Sequence, residues 1–325
     1  ICYNYVLNMV DKKVVCLGGG VGTANLLRGI KKYFSDITVI VSMADDGGSA
    51  GRLRRYYKTF PTGDIINCLV ALSDADSILI DLLKYRFRGR RYGPDSILPG
   101  HKLGNLILLA LSSIKGDFNE GLLEIQKIFK TKGKIYPCTT TPISIWAKTS
   151  TGHIVTREEN IDLGKFKGQI EKLHIRPKSP DVDAQVIEAI KSADLIIAGP
   201  GDLYTTILPS LMVPKILDAV RQSKAKKFFV TNVANKPFET PRYTISDFAN
   251  AIKKHCGGIL FDTFLLNNNQ EPEIPPKWKY QYKYVPIING KGKMPFKIIQ
   301  DDLVSVDFPL YHDSEKLAKT IAGNI

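Results

Sequence analysis

The sequence has little of what marks secreted, zinc-binding or membrane-spanning proteins. Its five cysteines are Cys2, Cys16, Cys68, Cys138 and Cys256. They form no CxxC or Cys/His spacing, which argues against a disulfide framework and a structural zinc site. No apolar run approaches the roughly 18 residues of a transmembrane helix. The first ten residues lack the regions of a signal peptide. We therefore expect a cytoplasmic protein without a membrane span.

Several catalytic signatures are also missing. No glycine-rich loop continues into the Gly-Lys-Ser/Thr of a Walker motif, and no GxSxG elbow occurs anywhere in the chain. No cysteine and histidine form a convincing nucleophile and base. The sequence therefore gives no support to nucleophilic catalysis by a side chain.

The composition is that of a globular protein with an excess of positive charge. Hydrophobic residues make up 44% of the chain, charged residues 24%, and the formal net charge is +13. An excess of lysine and arginine favours anionic partners. Residues 84–91 alternate cations with aromatics, which suits nucleic acid, but a solvated helix end is the better interpretation because no nucleic-acid-binding module accompanies them. A nucleic-acid partner is thus a secondary hypothesis.

Strand and helix patterns alternate along the chain. Residues 14–17 predict a strand, residues 23–33 a helix and residues 37–43 a second strand. A second series contains strands at 195–198, 227–231 and 259–266, an amphipathic stretch to 223 and a helix at 246–255. This alternation predicts an α/β fold with a doubly wound, mostly parallel, Rossmann-like sheet whose ligands bind beyond the carboxyl ends of its strands.

Two stretches interrupt the alternation. Residues 64–130 are rich in helical patterns, and residues 135–176 contain threonines, turns and short β-like runs that predict a small β-rich insertion. We treat residues 9–325 as a single nucleotide-binding domain starting at Met9, since the first strand follows at once. Residues 1–8 are expected to lie outside the fold.

A glycine loop follows the first strand, with the sequence Gly-Gly-Gly-Val-Gly. Backbone N–H groups at a helix N-terminus can cradle a phosphate there without interference from side chains. The loop departs from the GxGxxG fingerprint because a threonine takes the third glycine position. The predicted phosphate-binding residues are Gly18, Gly19, Gly20, Gly22 and Thr23.

The second strand ends in two adjacent carboxylates, Asp45 and Asp46, before another glycine-rich loop. Carboxylates at this place can hold ribose hydroxyls or Mg²⁺, while a nearby arginine holds phosphate. We predict that Asp45 orients ribose or substrate and that Asp46 lies at the metal or sugar-phosphate position, as a ligand of Mg²⁺ if the metal is used. The remaining predicted binding residues of this loop are Gly47, Gly48, Ser49 and Arg52.

Two further helix starts carry polar side chains. Asp64 is expected to be an N-cap, with Asn67 one turn further on. Asp64, Asn67, His101 and Asn105 are also among the predicted nucleotide-binding residues. His101 and Asn105 precede the apolar run 106–111, where the histidine could bind phosphate or donate a proton.

A glycine-rich loop follows the predicted strand 195–198. Its glycines permit close approach of the backbone to a ligand, and its hydroxyls add donors. A second phosphate or sugar contact is predicted at Gly199, Gly201, Asp202, Tyr204 and Thr205.

Taken in order, several motifs resemble those of the YvcK branch of the YvcK/CofD-like family. They are GGGVG, MADDGGSAGRLR, PTGDIINCLVALSD, YRF, GHKLGNLILLAL, TTTP and GPGDLYTTILPSLMV. The resemblance spans about residues 12–266 and implies a Rossmann-like fold that binds a UDP-sugar or related dinucleotide. It also implies a role in growth on gluconeogenic carbon and in cell-wall morphogenesis. A relative, the phospholactate transferase of deazaflavin cofactor synthesis, uses Mg²⁺ and a guanosine diphosphate compound.

Three functions therefore compete. The first is a regulatory protein that binds a nucleotide such as a UDP-sugar, NAD or a GDP-like compound. The second is an Mg²⁺-dependent transferase of phosphorylated groups, and the third is a basic protein associated with nucleic acid. The sequence leaves open whether identical chains form a homo-oligomer and whether a reaction is catalysed.

Overall fold

A central parallel sheet organises the protein. The computed structural model describes residues 9–91, 94, 98–275, 285–290 and 294–325. The expectation that residues 1–8 lie outside the fold concerns positions beyond the described residues.

The elements alternate as the sequence predicts. The strands are β1 (Val10–Gly18), β2 (Phe34–Val41), β3 (Lys134–Pro137), β4 (Ser144–Thr149), β5 (Ile154–Thr156), β6 (Ile170–Arg176), β7 (Leu195–Ala198), β8 (Lys226–Val230), β9 (Thr263–Asn267) and β10 (Lys297–Asp301). The helices are α1 (Gly20–Ile30), α2 (Gly48–Tyr57), α3 (Gly63–Leu72), α4 (Ser77–Lys84), α5 (Leu103–Lys115), α6 (Phe118–Ile128), α7 (Glu158–Asp162), α8 (Ala184–Ser192), α9 (Leu208–Leu211), α10 (Pro214–Gln222), α11 (Ile245–Cys256) and α12 (Ser314–Ala322). A π-helical turn at Leu203–Ile207 leads directly into α9.

Seven strands form the main sheet in the order β10-β9-β8-β7-β1-β2-β3. Every neighbouring pair is parallel. The central strand β7 is buried along its whole length, as expected of apolar runs in a sheet covered on both faces. The predicted α/β, mostly parallel fold is confirmed.

The direction of winding reverses between β1 and β7. From β1 the chain moves outward to β2 and β3, and it later returns to β7 and moves outward the other way. Right-handed crossovers in opposite directions place their helices on opposite faces of the sheet. The loops after β1 and β7 therefore diverge from a common edge, which is where ligands bind in such sheets.

The β-rich insertion is a separate antiparallel sheet in the order β5-β4-β6. The predicted start at Ile135 is wrong, because residues 134–137 form β3 and pair with β2 in the main sheet. A short apolar strand carries no local signal for which of two sheets it joins. The separate sheet instead begins at Ser144 and ends at Arg176.

Other predicted boundaries shift by a few residues. Helix α1 begins at Gly20, three residues before the predicted start, because glycine accepts the φ of +70° found there. The prediction that Asp64 is an N-cap is wrong: Thr62 holds that position and Asp64 is the second residue of α3. The expectation that strand 259–266 begins at residue 259 also fails, since β9 starts at Thr263.

The four cysteines among the described residues are buried free thiols. Within the same residues no single helix is long and apolar enough to cross a membrane. Leu203–Leu211 and Pro214–Gln222 reach that length and composition only together, across a bend of 75°.

Candidate functional site

The loops after β1 and β7 touch at the point where the winding reverses. A Cβ on Gly22 would lie 2.7 Å from the carbonyl oxygen of Pro200, so no side chain fits there. The hydroxyl of Thr23 donates to the same carbonyl oxygen at 3.2 Å and accepts the N–H of Gly19 at 2.9 Å. Thr23 therefore joins the two loops from a fully buried position.

Packing accounts for most glycines of the first loop. A Cβ on Gly18 would lie 2.2 Å from Thr23 Oγ1, and one on Gly19 would lie 2.5 Å from Asp64 Oδ2. At Gly20, where φ is +70°, the nearest atom to a Cβ would be 3.7 Å away. Close packing thus explains glycine at three positions of the loop, and a ligand is indicated by the open space around it.

A cleft opens on each side of the N-terminus of α1, with Gly20, Val21, Asp202 and Thr206 common to both sides. One side, here called the acidic half, has a volume of about 210 Å³ and is further lined by Asp45, Gly47, Asp64, Asn67, Arg91, Glu158, Glu159, Asp162 and Thr205. The other side, here called the amide half, has a volume of about 250 Å³. Its further lining includes Gly19, Gly22, Pro200, Gly201, Asn232, Asn235, Lys236, Tyr311 and His312.

Asp45 and Asp64 are two half-buried carboxylates of the acidic half. Burial, with the neighbouring charge of Asp46, raises the pKa of Asp45 to about 6. Burial, with the charge of Asp45, raises the pKa of Asp64 to about 7. Gly47 donates its N–H to Asp45 Oδ1 at 2.9 Å, and the Gly20 N–H bonds to Asp64. The two carboxylates repel each other beside the start of α1, so a cation between them would be stabilised.

Glu158 belongs to the insertion and adds a third carboxylate to this half. Burial raises its pKa well above the usual range, and the charge of Asp45 contributes to the rise. The insertion therefore completes the acidic half.

Asp46 holds the insertion against the main sheet. Its carboxylate accepts the backbone N–H of Glu159 at 3.0 Å and lies 3.3 Å from the guanidinium Nε of Arg157. These contacts use both oxygens of Asp46. Asp46 therefore faces the insertion, and the predicted division of roles between Asp45 and Asp46 stays a prediction.

Cations stand at the outer edge of the acidic half. Lys102 donates to Asn67 Oδ1 at 2.9 Å, and burial together with Arg86 lowers the pKa of Lys102 to about 8. Arg91, from the basic run 84–91, lines the cleft and packs on Gly48, where a Cβ would lie 2.6 Å from its Nε. One cation of the basic run therefore reaches the cleft.

The loop after β7 is engaged by a residue that sequence reasoning missed. Glu239 is fully buried, and its Oε2 accepts the N–H groups of Tyr204 at 3.0 Å and Thr205 at 3.2 Å. Its Oε1 accepts the Thr205 hydroxyl at 2.8 Å. The carboxyl group of Glu239 thus occupies the start of this π-helical turn. Tyr204 and Thr205 direct their N–H groups, and Thr205 its hydroxyl, at Glu239.

Lys236 lies beside Glu239 and contacts three carboxylates. Its ammonium bonds to Asp162 and Asp202 and lies 3.7 Å from Glu239. Burial lowers the pKa of Lys236, but the charges of Asp202, Glu239 and Asp162 outweigh this and raise it above its usual range. The ammonium stays charged and links the insertion to the loops after β7 and β8.

Four predicted site residues are buried away from the cleft lining. Ser49 Oγ lies 3.0 Å from His101 Nδ1 and accepts from Asn105 Nδ2 at 3.1 Å. Arg52 is buried and donates to the carbonyl oxygen of Pro99 at 2.9 Å. These contacts join the first turns of α2 and α5, so the four side chains position elements around the cleft.

The amide half contains two buried acceptors. Burial lowers the pKa of His312 to about 4, and the ring also bonds to the backbone of Thr231. Its Nε2 and the Oδ1 of Asn235 are buried without a hydrogen-bond partner among the described residues. A neutral imidazole nitrogen and an amide oxygen accept hydrogen bonds from N–H or O–H groups.

Of the predicted residues near the loop after β7, Gly199 takes a φ of +86°, while Gly201 and Asp202 line the cleft. The cleft residues missed from sequence include Glu158 and Asp162, whose i, i+4 spacing on a short acidic helix was an available signal. His312 and Asn235 gave no such signal, because tertiary packing alone brings them to the cleft.

Comparison with known proteins places this arrangement in context. The family model for 2-phospho-L-lactate transferase CofD matches residues 14–304. The gluconeogenesis factor of Bacillus subtilis (strain 168) is 39% identical over 314 residues, covering 95% of this chain and 96% of that protein. The putative gluconeogenesis factor of Aquifex aeolicus is 40% identical over 324 residues, with 96% of each chain covered. A crystal structure of a UPF0052 family member from Bacillus halodurans superposes with a TM-score of 0.86 at 38% identity, covering 97% of this chain and 99% of that chain.

Proposed function

This chain belongs to the 2-phospho-L-lactate transferase CofD family, and we propose that it binds a nucleoside-diphosphate compound, foremost a nucleotide-sugar, together with one divalent cation. Its role is regulatory, in growth on carbon sources that require gluconeogenesis. The name of the Bacillus subtilis relative, gluconeogenesis factor, supports a role of that kind.

The observation that carries the proposal is the position of the N-terminus of α1. It projects between the two halves of the cleft, at the reversal of the winding between β1 and β7. The first N–H groups of a helix have no partner within it, and the helix dipole favours negative charge there. A diphosphate on this helix end would extend a nucleoside into one half and its second substituent into the other.

The acidic half explains why a cation belongs to the proposal. A diphosphate placed beside Asp45, Asp64 and Glu158 would be repelled unless a cation stood between the charges. Asp45 and Asp64 fit that cation, because carboxylate oxygens are the ligands that Mg²⁺ prefers. Burial, together with the charge of a neighbouring aspartate, raises the pKa of both groups, so a cation beside them would be stabilised. When bound, the cation would neutralise phosphate charge.

The amide half supports the nucleotide-sugar or dinucleotide class. The acceptors on His312 and Asn235 fit the N–H groups of a base or the hydroxyl groups of a sugar. A bare inorganic phosphate would leave both acceptors without a partner.

The test is titration calorimetry with a UDP-sugar, NAD and GDP, with and without Mg²⁺, on the wild type and two variants at Val21. Val21 is 48% exposed and lines both halves of the cleft, so a larger side chain there disturbs no core. Val21→Glu places a negative charge where the phosphates should lie and should weaken binding at least tenfold, about 1.4 kcal/mol.

Val21→Thr is the matched control and should bind as the wild type does. A glutamate in the first turn also suits the helix dipole, so Val21→Glu should stay folded. Equal affinity of the two variants would overturn the assignment of the phosphates to this helix end.

A second candidate is an Mg²⁺-dependent transferase of phosphorylated groups. The family model supports it, and so do the pKa values of Asp45 and Asp64, which lie close to neutrality beside the helix end. A carboxylate with such a pKa is suited to accept a proton from an attacking hydroxyl. Turnover of a nucleoside-diphosphate substrate that is lost in Asp64→Asn would favour the transferase, and tight binding without turnover would favour the regulator.

A further inference from the structure

Lys236 occupies an arrangement of carboxylates that resembles a metal site. Asp162 comes from α7 of the insertion, Asp202 from the loop after β7, and Glu239 from the loop that carries Lys236. One oxygen from each carboxylate lies within 4.8 Å of the others. The Lys236 ammonium contacts all three.

Three carboxylate oxygens at this spacing are ligands for a hard divalent cation. Here the position between them is filled by a cation that is part of the chain. The Lys236 ammonium is directed at the chain's own carboxylates, so it is not available to a phosphate.

We propose that Lys236 is the resident cation of this three-carboxylate site and that it restricts the cleft to one exchangeable divalent cation. The inference rests on the proposed function for the identity of the exchangeable site, which is the pair Asp45 and Asp64. The site at Lys236 is then structural and independent of metal supply.

The position of Asp202 shows how a lysine in place of a metal affects the cleft. Asp202 lines both halves of the cleft, and its other oxygen lies 3.5 Å from Asn232 Nδ2. A metal at this place would dissociate when its concentration fell, and Asp202 and the insertion would then lose their common partner. A lysine cannot leave, so it acts as a positioning residue that keeps Asp162 and Asp202 in place.

The experiment counts bound Mn²⁺ per chain by electron paramagnetic resonance in the wild type, Lys236→Met and Lys316→Met. Lys236→Met keeps much of the side-chain volume and removes the ammonium, so it should bind one Mn²⁺ more than the wild type. Lys316→Met is the matched control, because Lys316 pairs with the single carboxylate of Asp302 at 2.7 Å, and its count should equal that of the wild type.

Melting temperatures measured with and without Mn²⁺ provide a second readout if Lys236→Met folds poorly without metal. Lys236→Met should melt below the wild type without divalent cation and should gain about 3–5 °C more than the wild type at a Mn²⁺ concentration of about 100 times the dissociation constant. Adding Glu239→Gln to Lys236→Met should remove the extra Mn²⁺ and the extra gain.

Two results would overturn the inference: a Lys236→Met count equal to that of the wild type, or a Lys236→Met chain that Mn²⁺ does not stabilise beyond the wild type. Failure of the proposed function would be seen elsewhere, as a wild type that binds no Mn²⁺. The additional Mn²⁺ of the variant would still be measurable in that case.

Discussion

Asp64 is a single residue whose ionisation the fold makes unfavourable, because folding removes its carboxyl group from water. The helix start around it was visible in sequence, but its side chain turns towards Gly19 and Gly20 in place of capping α3. Its pKa of about 7 means that the folded chain holds a proton that the unfolded chain, with an ordinary pKa near 3.9, has lost between about pH 4 and pH 7.

The first prediction follows from the upward direction of the shift in the pKa of Asp64. A proton held more tightly by the folded state lowers the free energy of unfolding as the pH rises through this window. Asp64→Asn removes the titration, so without divalent cations the variant should gain melting temperature relative to the wild type by a few degrees between pH 5 and pH 8. Thermal melts at the two pH values measure this, and an equal difference at both would contradict it.

Asp45 and Asp46 give the second prediction. The sequence suggested Mg²⁺ at Asp46, but the contacts of Asp46 with Arg157 and Glu159 lead us to assign the cation to Asp45. Asp45→Asn should weaken Mn²⁺ binding ten- to a hundredfold, about 1.5–3 kcal/mol, because a neutral amide is a poorer ligand for a hard cation.

Asp46→Asn is the comparison variant and should leave Mn²⁺ affinity within about threefold, less than 1 kcal/mol. A larger loss in Asp46→Asn than in Asp45→Asn, measured by titration, would return the cation to Asp46.

At the scale of elements, the start of the π-helical turn at Leu203–Ile207 depends on Glu239. Glu239→Ala would leave two buried N–H groups unpaired, which should lower the free energy of unfolding by about 1–3 kcal/mol. Glu239→Gln keeps a carbonyl oxygen for these N–H groups and should cost much less. Urea titrations of both variants test this third prediction, and equal losses would show that the charge of Glu239 matters more than its hydrogen bonds.

The order of helices and strands was predictable from sequence, whereas the pairing of the strands was not. The apolar run 195–198 and the β-branched run before Asp45 identified β7 and β2 because buried parallel strands are nearly continuous in apolar residues. The short apolar segment of β3 could not reveal that it pairs with β2, since strand pairing depends on contacts between residues distant in sequence. Helix α1 started early because a left-handed glycine can begin a helix.

At the scale of the whole molecule, net charge and local charge have opposite signs. The chain carries +13 overall, while the acidic half of the cleft is lined by five carboxylates from Asp45, Asp64, Glu158, Glu159 and Asp162, in addition to Asp202, which both halves share. The positive surface should speed the approach of an anionic ligand, and the cation should set its final position.

The fourth prediction concerns this surface. Arg88 and Arg90 are exposed, so reversing both charges should leave nucleotide affinity within about threefold at physiological salt, where charges are screened over about 8 Å. Arg91→Glu should weaken it more, because Arg91 lines the cleft. Calorimetry at two salt concentrations separates the cases, and a larger loss in the double variant would mean that the exposed run binds the ligand directly.

The candidate site was only partly predictable from sequence, because some of its residues are brought there by contacts between distant parts of the chain. Glycine loops and strand-end carboxylates carry local signals, and both lie at the cleft. Lys236, Glu239 and His312 lie far in sequence from these motifs, so only the completed fold brings them to the loops after β1 and β7. Conversely, His101 and Ser49 carried the local signals of a site and instead join α2 to α5.

The position of β1 between β2 and β7 has a consequence for the newly made chain. Val14 of β1 pairs with Ile37 on one side but with Leu195 on the other, so one edge of β1 lacks its partner until β7 has left the ribosome. Contacts between residues so distant in sequence slow folding, and an unpaired strand edge exposed meanwhile favours aggregation. Fragments that end before β7 should therefore need a chaperone to stay dispersed, and the amide half of the cleft should be complete only after residue 312 has emerged and packed.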